Sequence, residues 1–210
     1  KIAINDVDQG AIGDCYFLAL LGGLGHTNPA YIEQMVVDNL DNTYTIRFHE
    51  EDGTEKQITV DNKFWLNKEG VPIYSKIADY DAQYIETWVM LVEKAWAKWH
   101  QGYEHIEGNN RKKDDYAMAL TGHRRQYVEL NDQTDEKAFF TKLYETLYEK
   151  KLPVTFNSKA AKEEGDDQIV VENHAYILKD VSFQDGEVNL YNPYGHNHLY
   201  NCDFEYLKHH

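Results

Sequence analysis

The sequence predicts an α+β protein whose first part is mostly helical and whose last third is mostly β-sheet. Before residue 150, apolar residues recur at helical spacing, whereas after Pro153 they alternate as they do in strands. A polar and charged stretch over residues 108–115 interrupts the chain near its middle and predicts a loop. With 210 residues, the chain can bury one large core or two smaller ones.

The first predicted helix follows Asp14, which stands just before an almost wholly apolar run over residues 15–24. An aspartate in that place is a good N-cap, and a helix that is apolar on all sides belongs in the middle of a domain. Because glycine favours helix ends, Gly22, Gly23 and Gly25 predict that the helix weakens or stops there.

A hairpin and a longer helix are predicted next. Residues 43–48 and 57–60 alternate as two strands around an Asp52-Gly53 turn. Residues 83–99 place their large apolar side chains at helical spacing, which predicts an amphipathic helix with an aromatic buried face.

The last third is predicted to begin after one more helix. Residues 138–147 carry apolar side chains on one helical face, and Pro153 follows as a stop. Residues 154–156, 175–178 and 187–191 then predict strands, with a turn at Asp185-Gly186 between the last two.

The composition excludes several classes of function. The formal net charge of −15, from 36 acidic and 21 basic residues, would repel nucleic acid and anionic membrane surfaces, although it permits a cation site. Two cysteines do not make a disulfide framework, and no apolar stretch is long enough to span a bilayer. No signal peptide is visible, so the sequence leaves a cytoplasmic protein and a secreted effector both open.

Cys15 is the first candidate for chemistry because it stands at the start of the apolar helix. A helix N-terminus carries unpaired N–H groups and partial positive charge, both of which favour a thiolate. Gly10 and Gly13 let the preceding backbone turn tightly, and the Gln9 amide could donate a hydrogen bond to an oxyanion beside the Cys15 N–H. A buried cysteine is also a common structural residue, so a base is needed to decide.

His174 and Asn192 supply a candidate base and a residue to orient it. His174 opens one predicted strand, Asn192 closes another, and the turn lies midway between them. A hairpin would therefore bring the two within a few residues of being cross-strand neighbours. An amide there can accept the imidazole N–H and leave the other ring nitrogen to face a thiol, as in a Cys-His-Asn triad.

These residues resemble the calpain family of cysteine proteases. The segment from Gln9 to Cys15 is similar to the family's QGxxGDC signature, and residues 91–98 to its LLEKAYAK helix. Residues 103–108 resemble the YEALSGG segment, His174-Ala-Tyr the GHAY motif, and Asn192-Pro-Tyr-Gly the NPWG motif. The Asp-Cys-Tyr-Phe block resembles bacterial calpain-like proteins more than animal ones.

The resemblance implies a papain-like fold of two lobes and a proteolytic activity. Lobe 1, residues 1–122, would carry Gln9 and Cys15, and lobe 2, residues 123–210, would carry His174 and Asn192. The implied activity is endopeptidase cleavage of protein or peptide substrates through a thioester, with no required cofactor, in what could be one part of a larger multidomain chain. Two positions depart from the family pattern, Tyr194 for the Trp that shields the Asn-His pair and Asn173 for the Gly before His.

Calcium is implied only by the resemblance. At positions that match the first-lobe calcium site of animal calpains the chain has Asp6 and Glu104, both oxygen donors suited to calcium. His196 and His198 form an H-x-H pair, which we interpret as surface histidines since no third metal ligand is evident.

Three other functions stay open at this point. One is a Cys-His-Asn acyltransferase or transglutaminase-like enzyme, which would share the thioester but transfer it to an amine. Another is a catalytically inactive or misaligned module that keeps the lobes without the reaction. The third is a toxin or effector domain, which concerns context more than chemistry.

Overall fold

The computed structural model describes residues 1–77, 86–108, 115–159 and 168–210. The fold is α+β, as predicted, with two antiparallel sheets and helices packed on both. The predicted loop over residues 108–115 falls mostly on residues 109–114, which lie outside the described residues. Among the residues that the structure describes, no helix is long and apolar enough to cross a membrane.

The first half of the chain packs helices against a three-stranded sheet. The helices are α1 (Cys15–Thr27), α2 (Pro29–Met35), α3 (Trp88–Trp99) and α4 (Tyr116–Thr121), and the strands are β1 (Val36–Asp38), β2 (Thr43–His49) and β3 (Glu55–Asp61). The predicted hairpin is confirmed as β2 and β3, with Ile46 opposite Ile58 and Gly53 in the left-handed region of the turn. Strand β1, a short strand directly after α2 that pairs with β2, was not predicted from the sequence.

Helix α1 runs beyond the glycines, so the prediction that it stops there was wrong. It continues to Thr27, and Gly22 and Gly23 are buried inside it. A Cβ at Gly22 would lie 2.6 Å from Cδ1 of Ile177, and one at Gly23 would lie 2.9 Å from Cβ of Pro153. The glycines therefore serve close packing of α1 against the later part of the chain, an arrangement that only tertiary structure reveals.

The amphipathic helix starts later than its sequence pattern suggested. Helix α3 begins at Trp88 rather than at residue 83; residues 86 and 87 are not helical, and residues 83–85 lie outside the described part of the chain. Its predicted aromatic face is buried, with the Trp96 ring stacked on Phe17 of α1 at 4.9 Å between centroids.

The last part of the chain forms a four-stranded sheet in the order β4-β5-β6-β7. Its elements are α5 (Glu136–Tyr144), which continues as a π-helical turn over Glu145–Glu149, then β4 (Thr155–Asn157), β5 (Ala175–Ser182), β6 (Glu187–Tyr191), β7 (Leu199–Cys202) and α6 (Phe204–His209). The predicted hairpin of β5 and β6 is confirmed, with Ile177 opposite Tyr191.

The two faces of this second sheet belong to different cores. Ala175, Ile177 and Tyr191 join the large core built around α1 and α3, whereas Tyr176 and Leu178 point to a smaller core under α5 and α6. Because successive side chains of β5 point to opposite faces of the sheet, one face packs against α1. The division of the chain at residues 122 and 123 stays a prediction.

Candidate active site

Cys15 is the first residue of α1, at the place where the apolar helix meets the second sheet. Its side chain is half-buried, and the backbone N–H of Ala175, the residue after His174, lies beside the sulfur and favours its charged form. Burial raises the pKa of the Cys15 thiol, a negative charge on Asp14 would add to the rise, and nearby backbone N–H groups oppose it. The helix N-terminus alone thus leaves the thiol protonated, and a thiolate requires a further positive partner.

His174 directly precedes β5, and hydrogen bonds fix both its ring and its backbone. The ring is buried, and its Nε2–H donates to Oδ1 of Asn192 at 2.8 Å. Its backbone N–H donates to Oγ of Ser158 at 3.1 Å, and its carbonyl accepts from the Ser158 N–H at 2.9 Å. Because Nε2 is engaged by an acceptor, Nδ1 is the ring nitrogen left to take a proton. Burial lowers the pKa of His174, and the bond to Asn192 partly offsets this.

Asn173 explains one departure from the family pattern. Its backbone has a φ of +51°, in the left-handed region that glycine adopts without strain. Asparagine is among the few other residues that visit this region readily. The residue before His174 therefore keeps the backbone shape that a glycine would give.

Asn192 directly follows β6 and is completely buried. Besides the bond from His174, its Oδ1 accepts from the Tyr194 N–H at 2.9 Å, and its Nδ2 donates to the carbonyl of Asn197 at 3.3 Å. Its backbone N–H donates to Nδ1 of His198 at 3.1 Å. With all of its polar groups engaged, the amide cannot flip, so it presents an acceptor to the imidazole.

His198 is the residue near this site that sequence reasoning misjudged. We interpreted it as a surface histidine, but it is half-buried, stacks on Tyr191 at 4.1 Å between ring centroids, and accepts the hydrogen bond from Asn192. Burial lowers its pKa, and Lys179 and His196 add to the effect. His196 is exposed, as expected. No group of three or more metal-ligating side chains occurs in the ranges that the structure describes.

Gln9 joins the two parts of the chain beside the candidate triad. Its side chain is buried, its backbone N–H donates to the carbonyl of Pro193 at 2.7 Å, and its Nε2 donates to the carbonyl of Ile12 at 2.7 Å. One hydrogen of the amide thus fixes its orientation, and the second is available to an incoming oxyanion. Gly10 is needed nearby, because a Cβ there would lie 1.9 Å from the carbonyl oxygen of Tyr74.

Tyr194 covers the histidine. Its ring lies 4.4 Å from that of His174 between centroids, tilted by 36°. Next to it opens a polar pocket of about 560 Å³, whose lining includes Gln9, Asp8, Lys76 and His196. Burial raises the pKa of Asp8 even though Lys76 and His196 lie close by.

The two candidate calcium ligands are placed differently from one another. Oδ2 of Asp6 already accepts from the Ala3 N–H and from Nε1 of Trp88, each at 2.8 Å. Glu104 is exposed, and its carboxylate folds back over Gly102. Since no third acidic or histidine ligand joins them among the described residues, these side chains alone do not make a calcium cage, and we derive no step through calcium.

The comparisons with known proteins decide the family. The sequence profile of the calpain family of cysteine proteases matches residues 1–206. The chain belongs to this family. It is 28% identical over 200 residues to the rice protein "Calpain-type cysteine protease ADL1", and 29% identical over 201 residues to "Calpain-type cysteine protease DEK1" of Arabidopsis thaliana. It is also 31% identical over 124 residues to "Calpain clp-4" of Caenorhabditis elegans.

These matches cover unequal shares of the proteins compared. The two plant matches span 90% of this calpain-family chain but only 9% of each plant protein, and the nematode match spans 55% of this chain and 16% of its relative. The chain thus corresponds to a small part of much longer relatives.

Proposed function

We propose that this chain is the catalytic core of a calpain-like cysteine endopeptidase that cleaves protein or peptide substrates. The observation that carries the proposal is the buried hydrogen bond from His174 Nε2 to Asn192 Oδ1, next to a half-buried cysteine at a helix start. The bond fixes the imidazole tautomer, so Nδ1 can serve as the base for the thiol. The inter-lobe bond from the Gln9 N–H to the Pro193 carbonyl supports the view that the two halves are aligned for catalysis.

The first half of the proposed reaction forms an acyl-enzyme. Nδ1 of His174 takes the proton of the Cys15 thiol, and the thiolate attacks the carbonyl carbon of the scissile peptide. The developing oxyanion accepts hydrogen bonds from the Cys15 N–H, which has no partner within its helix, and from Nε2 of Gln9. The carbon–nitrogen bond then breaks, and the imidazolium gives its proton to the leaving amine, which leaves a thioester on Cys15.

The second half regenerates the enzyme. Nδ1 of His174 takes a proton from water, the hydroxide attacks the thioester, and the imidazolium returns the proton to the departing sulfur. Throughout, Asn192 accepts from the same Nε2–H and holds the ring in place, while the ring of Tyr194 keeps solvent away from this bond.

Burial of both reacting side chains explains why they must act together. It raises the pKa of Cys15 and lowers that of His174, so each group alone prefers to be uncharged. When the thiolate of Cys15 lies beside the imidazolium of His174, each charge stabilises the other and offsets the cost of burying it.

The test is covalent labelling with an epoxysuccinyl inhibitor of thiol proteases, followed by intact mass measurement. Wild type, Cys15→Ala and Cys202→Ala are each treated with and without calcium, after circular dichroism confirms folding. Cys202 is fully buried, and its pKa is raised to about 12, so the Cys202→Ala variant should react like wild type. A single adduct on both of these, absent from Cys15→Ala, is the expected result.

The other outcomes are also informative. An adduct that requires calcium would restore the calcium site that the resemblance implies at Asp6 and Glu104. A folded wild-type protein that takes up no inhibitor under either condition, and digests no unfolded protein substrate, would overturn the proposal in favour of an inactive or misaligned calpain-like module.

A further inference from the structure

Asp14, the residue directly before Cys15, does not do what its position in the sequence predicts. It stands at the N-cap of α1, but its side chain makes no capping hydrogen bond. The carboxyl group is completely buried, and in the described part of the chain neither of its oxygens receives a hydrogen bond from an N–H or O–H donor. A buried carboxylate without donors is very costly, so this group needs another explanation.

The group that faces Asp14 is a second buried carboxyl. Glu93 lies in the middle of α3, is also almost completely buried, and lies within hydrogen-bonding reach of the Asp14 side chain. A hydrogen bond between two carboxyl groups requires one of them to carry a proton. Two buried carboxylates in contact cannot both be charged, so the pair holds one proton between them.

The surroundings favour the proton on Asp14. Both oxygens of Glu93 accept from the buried Ser75 N–H, at 2.9 and 3.2 Å, whereas Asp14 has no such donors. Hydrogen bonds from N–H groups stabilise the charged form, so Glu93 is the better carboxylate and Asp14 the better acid. Burial, reinforced by Glu93 and Glu107, accordingly raises the pKa of Asp14 well above its usual range.

Among the described residues, no cationic group contributes to the pKa shift of Asp14 or of Glu93. The titratable groups around the pair are Glu107, Tyr103 and Cys15. Burial raises the pKa of Tyr103 and of Cys15, and a negative charge on the pair adds to both rises. An ionised Asp14 would therefore add a negative charge one residue from the nucleophile. That charge would oppose the thiolate and cancel the partial positive charge of the α1 N-terminus.

We propose that Asp14 and Glu93 share one proton, held on Asp14, and that this keeps the neighbour of Cys15 uncharged so that its thiolate can form. The inference rests on the proposed function in naming Cys15 the nucleophile, but it concerns the ionisation of a thiol, which can be measured whether or not the protein digests substrates. Asp14 and Glu93 are positioning residues in this scheme, because neither contacts the reacting atoms.

The test compares two substitutions that remove one carboxyl each and are nearly isosteric. Asp14→Asn keeps an uncharged donor to the Glu93 carboxylate beside Cys15. Glu93→Gln instead supplies an amide donor to Asp14, which frees Asp14 to ionise. The measurement is the rate of Cys15 alkylation by iodoacetamide from pH 5 to pH 10, with the adduct located by peptide mass mapping.

The two variants should differ although their change in composition is alike. We expect Asp14→Asn to keep the alkylation profile within about twofold of wild type, and Glu93→Gln to be about tenfold slower at pH 7, with its profile shifted to higher pH. The double variant has no charge on the pair and should regain the profile of Asp14→Asn. A purely structural role would lower the melting temperature in both variants without moving the profile, which would overturn the proposal.

A second measurement guards against a Glu93→Gln protein that fails to fold. Wild type at pH 7 should show the infrared carbonyl band of a buried protonated carboxyl, and Asp14→Asn should lack it. If the band is missing from folded wild type, or persists in folded Asp14→Asn, the proton is not on Asp14 and the proposal fails. Failure of inhibitor labelling with an unchanged infrared result would instead count against the proposed protease function alone.

Discussion

The backbone N–H of Asn192 donates a hydrogen bond to Nδ1 of His198 at 3.1 Å, so a neutral histidine helps to hold the residue that orients His174. An imidazole can accept at Nδ1 only when that nitrogen is unprotonated. Protonation of His198 would turn the acceptor into a second donor and break the bond. The site is therefore tied to the charge of a histidine outside the candidate triad.

Replacing His198 should weaken the pH dependence of stability. Its pKa is lowered in the folded protein, so its contribution is complete above the unfolded value of about 6.5 and is lost as the pH falls through the lower folded value. His198→Asn keeps an acceptor near the position of Nδ1 but does not titrate. Unfolding by urea at pH 7 and pH 5 should show a smaller loss of unfolding free energy in His198→Asn than in wild type.

The matched control is His196→Asn, since His196 is exposed in the same loop. It should lose only slightly less stability between the two pH values than wild type does, because His196 makes a smaller contribution than burial to the lowered pKa of His198. An equal loss in all three proteins would show that the bond to Asn192 does not depend on the charge of His198.

Loss of Asn192 should reduce the catalytic rate much more than it reduces the affinity for substrate. Without the Asn192 amide, the imidazole of His174 can rotate and change tautomer. We expect Asn192→Ala to reduce kcat by about 10²- to 10⁴-fold with little change in KM, measured by steady-state hydrolysis of a fluorogenic peptide. Asn189→Ala, in the middle of β6, is the control and should keep most of the activity; a similar loss there would point to the strand and not to the amide.

Glycine should replace Asn173 with little loss of stability, whereas alanine should not. A residue at a φ of +51° pays a penalty of about 1–2 kcal/mol unless it is glycine or a tolerant residue such as asparagine. Asn173→Ala should therefore lower the unfolding free energy by about 1 kcal/mol and reduce kcat by displacing His174, whereas Asn173→Gly should come close to wild type in both. Equal losses in the two variants would mean that the Asn173 side chain, and not its φ, is what matters.

Alanine at position 22 of α1 should lower the unfolding free energy, although alanine is normally preferred to glycine inside a helix. In a solvent-exposed helix Gly→Ala gains about 1 kcal/mol, but a Cβ at Gly22 would lie 2.6 Å from Cδ1 of Ile177. We expect Gly22→Ala to cost about 1–3 kcal/mol in chemical denaturation because the core is overpacked. Ile177→Val removes Cδ1, so the double variant should lose less than the sum of the single losses. Strict additivity would show that this contact is not the cause.

Replacement of His174 should show how strongly the formation of the Cys15 thiolate depends on this histidine. Burial raises the pKa of Cys15. In the proposed reaction, the imidazolium of His174 supplies the positive charge that would lower it. In His174→Ala we expect alkylation of Cys15 by iodoacetamide at pH 7 to slow at least about tenfold, with the rate recovering at high pH. An unchanged profile would mean that His174 does not share its proton with Cys15.

Local sequence signals were enough for many features of this protein. The alternation in residues 43–60 and 175–191 fixed both hairpins, because a strand with one buried face must alternate and glycine marks the turn. The placement of Cys15, His174 and Asn192 at the ends of predicted elements named the candidate site, and the QGxxGDC pattern indicated the family that the comparison then showed.

Features that depend on contacts between residues far apart in the chain could not be predicted from local sequence signals. The sequence made Asp14 a helix cap and Gly22 a helix stop, since those are the preferences of such residues when neighbours along the chain decide. The fold instead brings Glu93 against Asp14 and Ile177 against Gly22, and it turns His198 inward onto Asn192.

The amino-acid sequence by itself predicted helices α1, α3 and α5 and the two hairpins, the family that the chain resembles, and the side chains with the chemistry for a thiol protease. Tertiary structure alone decided the surroundings of those side chains: how long α1 runs, which nitrogen of His174 is left available, and that Asp14 meets a second acid. The reason is physical. Burial and contact with residues far along the chain set the cost of a charge or of a Cβ atom, and neither is encoded in local pattern.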